Sequence, residues 1–247
     1  MTVKLAEQDV TAFFQAHPDA TGIDMLIPDL NGVLRGKRIA RDGVSKLYKD
    51  GVRLPRSTYL LDTTGQNCET MDYGSRDTDP DFPCFGIQGT LQPVPWAEAP
   101  TGQVIASMVN EDGSPMFCDP RHVLQTALAP LSDMGLTPVV ALELEFYLLD
   151  NRVGCDGIAR LAKSKSMQRR QTMTQCYGIE ELYEYEGFLN DVTAACQAQG
   201  IPADTAFTWS AGEYDGSFTT GSLPTALQGI TSTVTGTSTS TIVIATL

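Results

Sequence analysis

The chain has 247 residues, with 17 Lys plus Arg against 30 Asp plus Glu, a formal net charge of -13 at pH 7 and a pI near 4.4. It is long enough for one large domain or two modest ones, and an excess of negative charge on that scale repels nucleic acid and anionic lipid, leaving small molecules, metal ions and protein partners as the expected ligands. No apolar run of roughly 18 residues is present to span a bilayer and the opening MTVKLAEQDV lacks a basic-then-apolar signal pattern, so the chain reads as cytoplasmic, without nucleic acid or membrane partners.

In chain order, residues 7–16 read as a short helix, followed by extended runs over 22–28 and 33–39. Between them Asp29-Leu30-Asn31-Gly32 carries Asn-Gly, a strong hairpin signal. Residues 42–50 read as a helix stopped by Gly51, and Tyr59-Leu60-Leu61 is an apolar run ending at Asp62. The Asp, Gly and Pro residues from Asp62 to Pro83 mark a long loop. Further extended runs lie over 89–93 and 103–109, so the first part of the chain is expected to be a small sheet crossed by a helix.

A new unit opens at Asp119-Pro120, a helix N-cap followed by proline at the first helical position, with Gly135 placed to end the helix. Val123, Leu124, Ala127, Leu128 and Leu131 recur at helical spacing, and Pro130 is expected to kink them. Residues 139–149 form the clearest strand pattern and 151–175 a polar, basic loop. Leu182, Tyr185, Leu189, Val192 and Cys196 predict an amphipathic helix over 180–199, ended by Gly200, after which residues 201–207 return to a strand. The six cysteines, Cys68, Cys84, Cys118, Cys155, Cys176 and Cys196, show neither a CxxC pair nor zinc-ligand spacing, as expected in a reducing compartment.

The sharpest chemistry lies in Leu142-Glu143-Leu144-Glu145-Phe146-Tyr147-Leu148. A strand places Leu142, Leu144, Phe146 and Leu148 on one face and Glu143 and Glu145 on the other, with the two carboxylates roughly 7 Å apart. That pattern fits a half-solvated strand with an acidic outer face. It also fits a pair of hard oxygen ligands for magnesium or manganese, the ions that neutralise charge in phosphoryl transfer.

Glu143-Leu144-Glu145-Phe146 after Pro138-Val139-Val140 resembles the first metal-binding strand of glutamine synthetases. The resemblance runs over roughly residues 22–205 and includes Gly89-Thr90-Leu91-Gln92-Pro93-Val94-Pro95-Trp96, Cys118-Asp119-Pro120-Arg121-His122-Val123-Leu124 and Tyr177-Gly178-Ile179-Glu180-Glu181-Leu182. In detail it is most like the branch that joins glutamate to putrescine or other amines. It implies an α+β chain, with a β-grasp domain over 1–112, the beginning of the catalytic domain over 113–206, and a low-complexity tail over 207–247, disordered or out of frame.

The activity implied is ATP-dependent ligation of the glutamate γ-carboxylate to ammonia or a polyamine through γ-glutamyl phosphate, with Mg2+ or Mn2+ as cofactor and a dodecamer-like homo-oligomeric ring. By the same resemblance Glu143 serves the ion beside the nucleotide phosphates and Glu145 the ion beside glutamate. Asp62 stands where the β-grasp loop offers a carboxylate to the amine pocket of a neighbouring subunit. Here Thr63-Thr64-Gly65 replaces the Gly-Ser-Ser of ammonia-using members, and a turn-capping role for Asp62 is the alternative.

Other polar features carry less. Arg35-Gly36-Lys37-Arg38 and residues 163–170 read as solvated basic surface, and His17 and His122 as lone histidines without ligand spacing. There is no G-x-x-x-x-G-K-[ST] phosphate loop. Where the family has Gly-Gln-Tyr-Glu followed by His-His-Arg, this chain has Gly212-Glu213-Tyr214-Asp215, which makes Asp215 the candidate third metal ligand. Phe218-Thr219-Thr220-Gly221 can be encoded as TTC ACC ACC GGN, which read two bases later spells His-His-Arg, and Thr231 to Ser240 is low-complexity. The tail is therefore expected to be a frame-shifted readout. On that expectation the chain has little ligase activity, and the alternative function is an inactive fragment or assembly module that keeps the β-grasp domain and part of the metal site.

Overall fold

Alternating burial along residues 22–28 sets the first sheet, because Ile23, Met25 and Ile27 point to one side and are fully buried. The computed structural model describes residues 3–68, 78–138, 141–150, 155–156, 158, 160–166, 168–170, 176–201, 205–208, 213–219 and 243–245. For residues 3–7, 141–146, 205–208, 213–219 and 243–245 it describes the backbone alone. The chain divides into two compact units, the first carried by Met1–Pro138 and the second opening at Val139.

In the first unit, β1 (Gly22–Pro28) and β2 (Leu34–Ala40) form the hairpin that Asn31-Gly32 signals, in a register running from Gly22↔Ala40 to Pro28↔Leu34. Gly32, at φ 78°, takes the left-handed position of the turn. Gly36 is required by close approach, since a Cβ there would lie 1.6 Å from the Met25 carbonyl oxygen. β3 (Val52–Pro55), β4 (Asp81–Gly86), β5 (Gln92–Pro93) and β6 (Gly102–Met108) complete a mixed sheet of order β2-β1-β6-β4-β3, with β5 paired to β6. β1 and β6 run parallel, so the segment joining them crosses the sheet.

The helices α1 (Val3–Ala16) and α2 (Val44–Lys49) bring Val10, Phe13, Phe14, Val44 and Leu47 onto Ile23, Met25 and Val104 to make the core. A short 3-10 turn at Arg41–Gly43 precedes α2, and Gly51, at φ 75°, follows it.

α3 (Pro120–Asp133) starts as the sequence indicates. The Asp119 carboxylate accepts from Arg121 N–H at 2.8 Å, and Gly135 lies beyond the end at φ 71°. Its helical-spaced apolar face is only partly covered: Val123 is 53 % exposed and Leu124 43 %, while Leu128 and Leu131 are half-buried. The other Asp119 oxygen accepts from the buried Tyr59 hydroxyl at 3.0 Å, so this cap also ties the helix start to the core.

The second unit is a sheet of β7 (Ala141–Leu148), β8 (Thr205–Thr208), β9 (Glu213–Thr219) and β10 (Val243–Ala245) in the order β10-β7-β9-β8. The helix expected over 180–199 is two helices, α4 (Ile179–Glu184) and α5 (Glu186–Ala198). They break at Tyr185, whose backbone leaves the helical region at φ -118°, ψ 19° and whose hydroxyl donates to Ala162 O at 3.1 Å. Of the polar stretch 151–175, the described residues include the bridges Leu149↔Leu161 and Lys163↔Arg170 and the Arg170–Asp150 ion pair at 2.6 Å. Residues 69–77 of the expected long loop, 151–154 and 171–175 of this stretch, and Thr231 to Ser240 lie outside the described residues. Among the described residues, no helix is long and apolar enough to cross a membrane.

Candidate functional site

The acidic strand acquires its neighbours through register. β9 pairs antiparallel with β7 so that Glu145 is opposite Asp215, Glu143 opposite Ser217 and Tyr147 opposite Glu213. Opposed residues of an antiparallel pair share a face, with Cβ atoms about 4.5–5.5 Å apart, and residues two apart on one strand share it as well. Positions 143, 145, 213 and 215 therefore fall on one face of two adjacent strands. β8 continues that face with Phe207 opposite Asp215 and Thr205 opposite Ser217. On the other face Leu148 is 2 % exposed, as the apolar alternation requires.

Like charges opposed across a ladder are destabilising, and a divalent cation relieves the repulsion while accepting oxygen ligands. Asp215 joins Glu143 and Glu145 on the same face, and Glu213 is a fourth acidic position that sequence reasoning left without a role. Its signal was its odd-numbered place beside Asp215, readable only once residues 213–219 are known to be a strand. Among the residues with described side chains, no group of three or more His, Cys, Asp or Glu is arranged to hold a metal ion.

Asp62 belongs to a tight loop of the first unit. An isolated bridge joins Leu61 to Asn67, Asp62 N–H donates to Gln66 O at 2.9 Å, and Gly65 N–H donates to Asp62 O at 3.0 Å. Asp62 Oδ1 accepts from Thr64 N–H at 2.8 Å, the Thr64 hydroxyl at 2.7 Å and Gln66 N–H at 2.9 Å. Those donors, the Gln66 amide foremost, hold the exposed carboxyl below the ordinary aspartate value. So the turn-capping role is realised with one carboxylate oxygen. Oδ2 accepts none of these three bonds and is the oxygen able to meet a cation.

The basic run at 35–38 divides by residue. Arg38 pairs with Asp24 through two hydrogen bonds of 2.7 and 2.9 Å at the surface, and Lys37 Nζ donates to Arg53 O at 2.7 Å. Arg35 instead enters the hairpin, where Nε donates to Asp29 Oδ2 at 3.0 Å and Nη2 donates to Asp62 O at 2.9 Å. Sequence reasoning missed this residue, because a solvated basic run and a half-buried anchor look alike until the partner carboxylate is placed. The histidines take no part in a described ligand set: His17 stacks at a tilt on Phe13, and the His122 carbonyl accepts from the Thr126 hydroxyl.

Residues 117–213 match the catalytic domain of glutamine synthetase. The chain is 37% identical over 199 residues to gamma-glutamylputrescine synthetase PuuA of Escherichia coli (strain K12), a match covering 81% of this chain and 42% of that protein. The chain belongs to the glutamine synthetase family. It is 25% identical over 177 residues to glutamate–isopropylamine ligase of Pseudomonas sp, covering 70% of this chain and 37% of that enzyme. A crystal structure of a novel glutamine synthase homolog superposes with a TM-score of 0.64 at 16% identity, over 85% of this chain and 46% of that one. The fold is thus that of the glutamine synthetase-type ligases, a mixed arrangement of sheets and helices. The chain spans less than half the length of these relatives. The acidic strand Glu143 to Glu145 lies inside the segment that matches the family's catalytic domain.

Proposed function

We propose that this protein takes part in ATP-dependent ligation of the glutamate γ-carboxylate to an amine, through γ-glutamyl phosphate, with ammonia or a polyamine such as putrescine as acceptor. The observation that carries the reading is the register of β7 against β9, which sets Asp215 opposite Glu145 on the face that also holds Glu143. Three carboxylate positions in that arrangement suit Mg2+ or Mn2+, which prefer oxygen donors. Glu143, Glu145 and Asp215 are the residues that hold the ions in this reading. Bound there, such ions neutralise charge on the transferring phosphoryl group.

Asp62 is the proposed catalytic residue on the amine side. Its Oδ2 attracts an ammonium group and accepts its proton, leaving a neutral amine to attack the activated carboxylate. The sheet of the first unit, with its hairpin, crossing helix and parallel β1–β6 pair, supports reading that unit as the family's β-grasp domain. A ring of subunits, in which a neighbour supplies Asp62, completes the proposal.

The test is phosphate release by the purified chain with ATP, glutamate, Mg2+ and putrescine or ammonia. Little turnover by this chain is the expected result, with turnover that needs both glutamate and amine appearing once the family's reading frame is restored and abolished there by Glu145→Gln. Self-association without any such turnover would replace the ligase reading by that of an assembly module.

A further inference from the structure

The loop that carries Asp62 is fastened to a buried group. Asp29 is fully buried in the turn between β1 and β2, and its carboxylate is saturated. Oδ1 accepts from Asn31 N–H at 2.8 Å and Val33 N–H at 2.9 Å, while Oδ2 accepts from Arg35 Nε at 3.0 Å and lies 2.9 Å from Nη2. A fully buried carboxylate with its lone pairs filled, paired to a guanidinium that is 20 % exposed, is a rigid anchor, since displacing the arginine leaves the buried charge without its partner.

Two side chains of this hairpin then reach the next loop. Arg35 Nη2 donates to Asp62 O at 2.9 Å, and Asn31 Nδ2 donates to Leu61 O at 2.8 Å. The successive carbonyls of Leu61 and Asp62 are thus clamped from one place. The guanidinium also lies against the turn itself, because a Cβ on Gly65 would stand 3.2 Å from Arg35 Nη1. Glycine at that position, with φ 85°, lets the turn close over the arginine.

We infer that Arg35 and Asn31, anchored by Asp29, are positioning residues that fix the Asp62 loop so that Oδ1 caps the turn and Oδ2 is presented to an incoming amine. The last clause rests on the proposed role of Asp62; the clamp itself does not. Lysine cannot substitute for Arg35, because a single ammonium lacks the fork that serves Asp29 Oδ2 and Asp62 O together.

The experiment is a carboxyl-resolved NMR titration of Asp62 in the full chain without substrates, together with amide exchange at Thr64 and Gln66. In Arg35→Lys the Asp62 midpoint rises toward the ordinary aspartate value and both amides exchange about tenfold faster, the loss of roughly one hydrogen bond of local stability. Asn31→Ala, which changes no charge, moves both readouts the same way by less. Arg38→Lys, on the exposed part of the same run, moves neither.

An Asp62 midpoint and amide rates unchanged in Arg35→Lys overturn the inference, as does full restoration by Arg35→Lys of whatever Arg35→Ala disturbs, which would reduce Arg35 to a charge. Should Arg35→Lys fail to fold, Asn31→Ala decides by the same two readouts. None of them uses turnover, so the ligase reading and this one stand or fall separately.

Discussion

The Asp62 loop and the acidic face of the second unit reach definite geometry by opposite routes. The loop is held by donors two to four residues away and by a hairpin some thirty residues upstream, all within the first unit. The acidic face exists because strands about seventy residues apart pair in one register, Glu145 opposite Asp215. A one-residue slip in that pairing would move Asp215 to the opposite face, whereas every donor named for the Asp62 turn lies in the first unit. A carboxylate that caps a turn is set by hydrogen bonds it makes itself, and a cluster of carboxylates needs a scaffold strong enough to offset their repulsion.

The largest effect is expected where the first of these routes is cut at its anchor. Asp29→Ala leaves Arg35 and two hairpin amides without their acceptor in a buried site and should cost about 3–5 kcal/mol in urea unfolding. A loss below about 1 kcal/mol would mean that strand pairing, not Asp29, holds the hairpin. The second route is cut by Tyr214→Pro, which removes a ladder N–H from β9, paired on both sides, at a cost of about 3 kcal/mol. Hydrogen exchange should then show protection lost across β7 and β9 and kept at Ile23 and Val104 in the first core.

The first core can also be probed by pH. Burial pushes the Cys84 thiol up to about 12 and the Cys118 thiol up to about 11, from an ordinary value of 9.0. The raised folded values mean that unfolded thiols ionise first, so this stability is complete below pH 9 and is lost as pH rises toward 11 and 12. The slope is about 1.4 kcal/mol per pH unit for each thiol, read from thermal midpoints. Alkylation at pH 8.5 should label exposed Cys68, Cys155 and Cys176 and spare Cys84 and Cys118. The smallest effect belongs to the surface: Asp24→Asn, which breaks the Arg38 pair, should change stability by less than about 1 kcal/mol.

Elements governed by nearest neighbours were legible in the chain. Asn31-Gly32 announces its hairpin, Asp119-Pro120 its helix and Gly51, Gly135 and Gly200 three helix ends, because each signal is a conformational preference of one or two residues. The pairing of Glu143 with Glu145 on one face follows from the period of a strand and needs no partner. The single helix expected over 180–199 failed at Tyr185 because a hydroxyl bond to Ala162 accompanies a break that no helical period records. The spacing of Val123 and Leu124 gave the helix but not their exposure, since amphipathic spacing states which face is apolar and not whether anything covers it.

The sequence by itself determined the acidic strand, the hairpin and the membership in a ligase family, all of which rest on local pattern and local motif. Only the tertiary structure decided that Arg35 leaves its basic run to bind Asp29 and the Asp62 loop, and that Asp215 stands opposite Glu145. Both are choices of partner between residues far apart or differently oriented. Such choices depend on register and burial, which are properties of the folded sheet and not of any short stretch of chain.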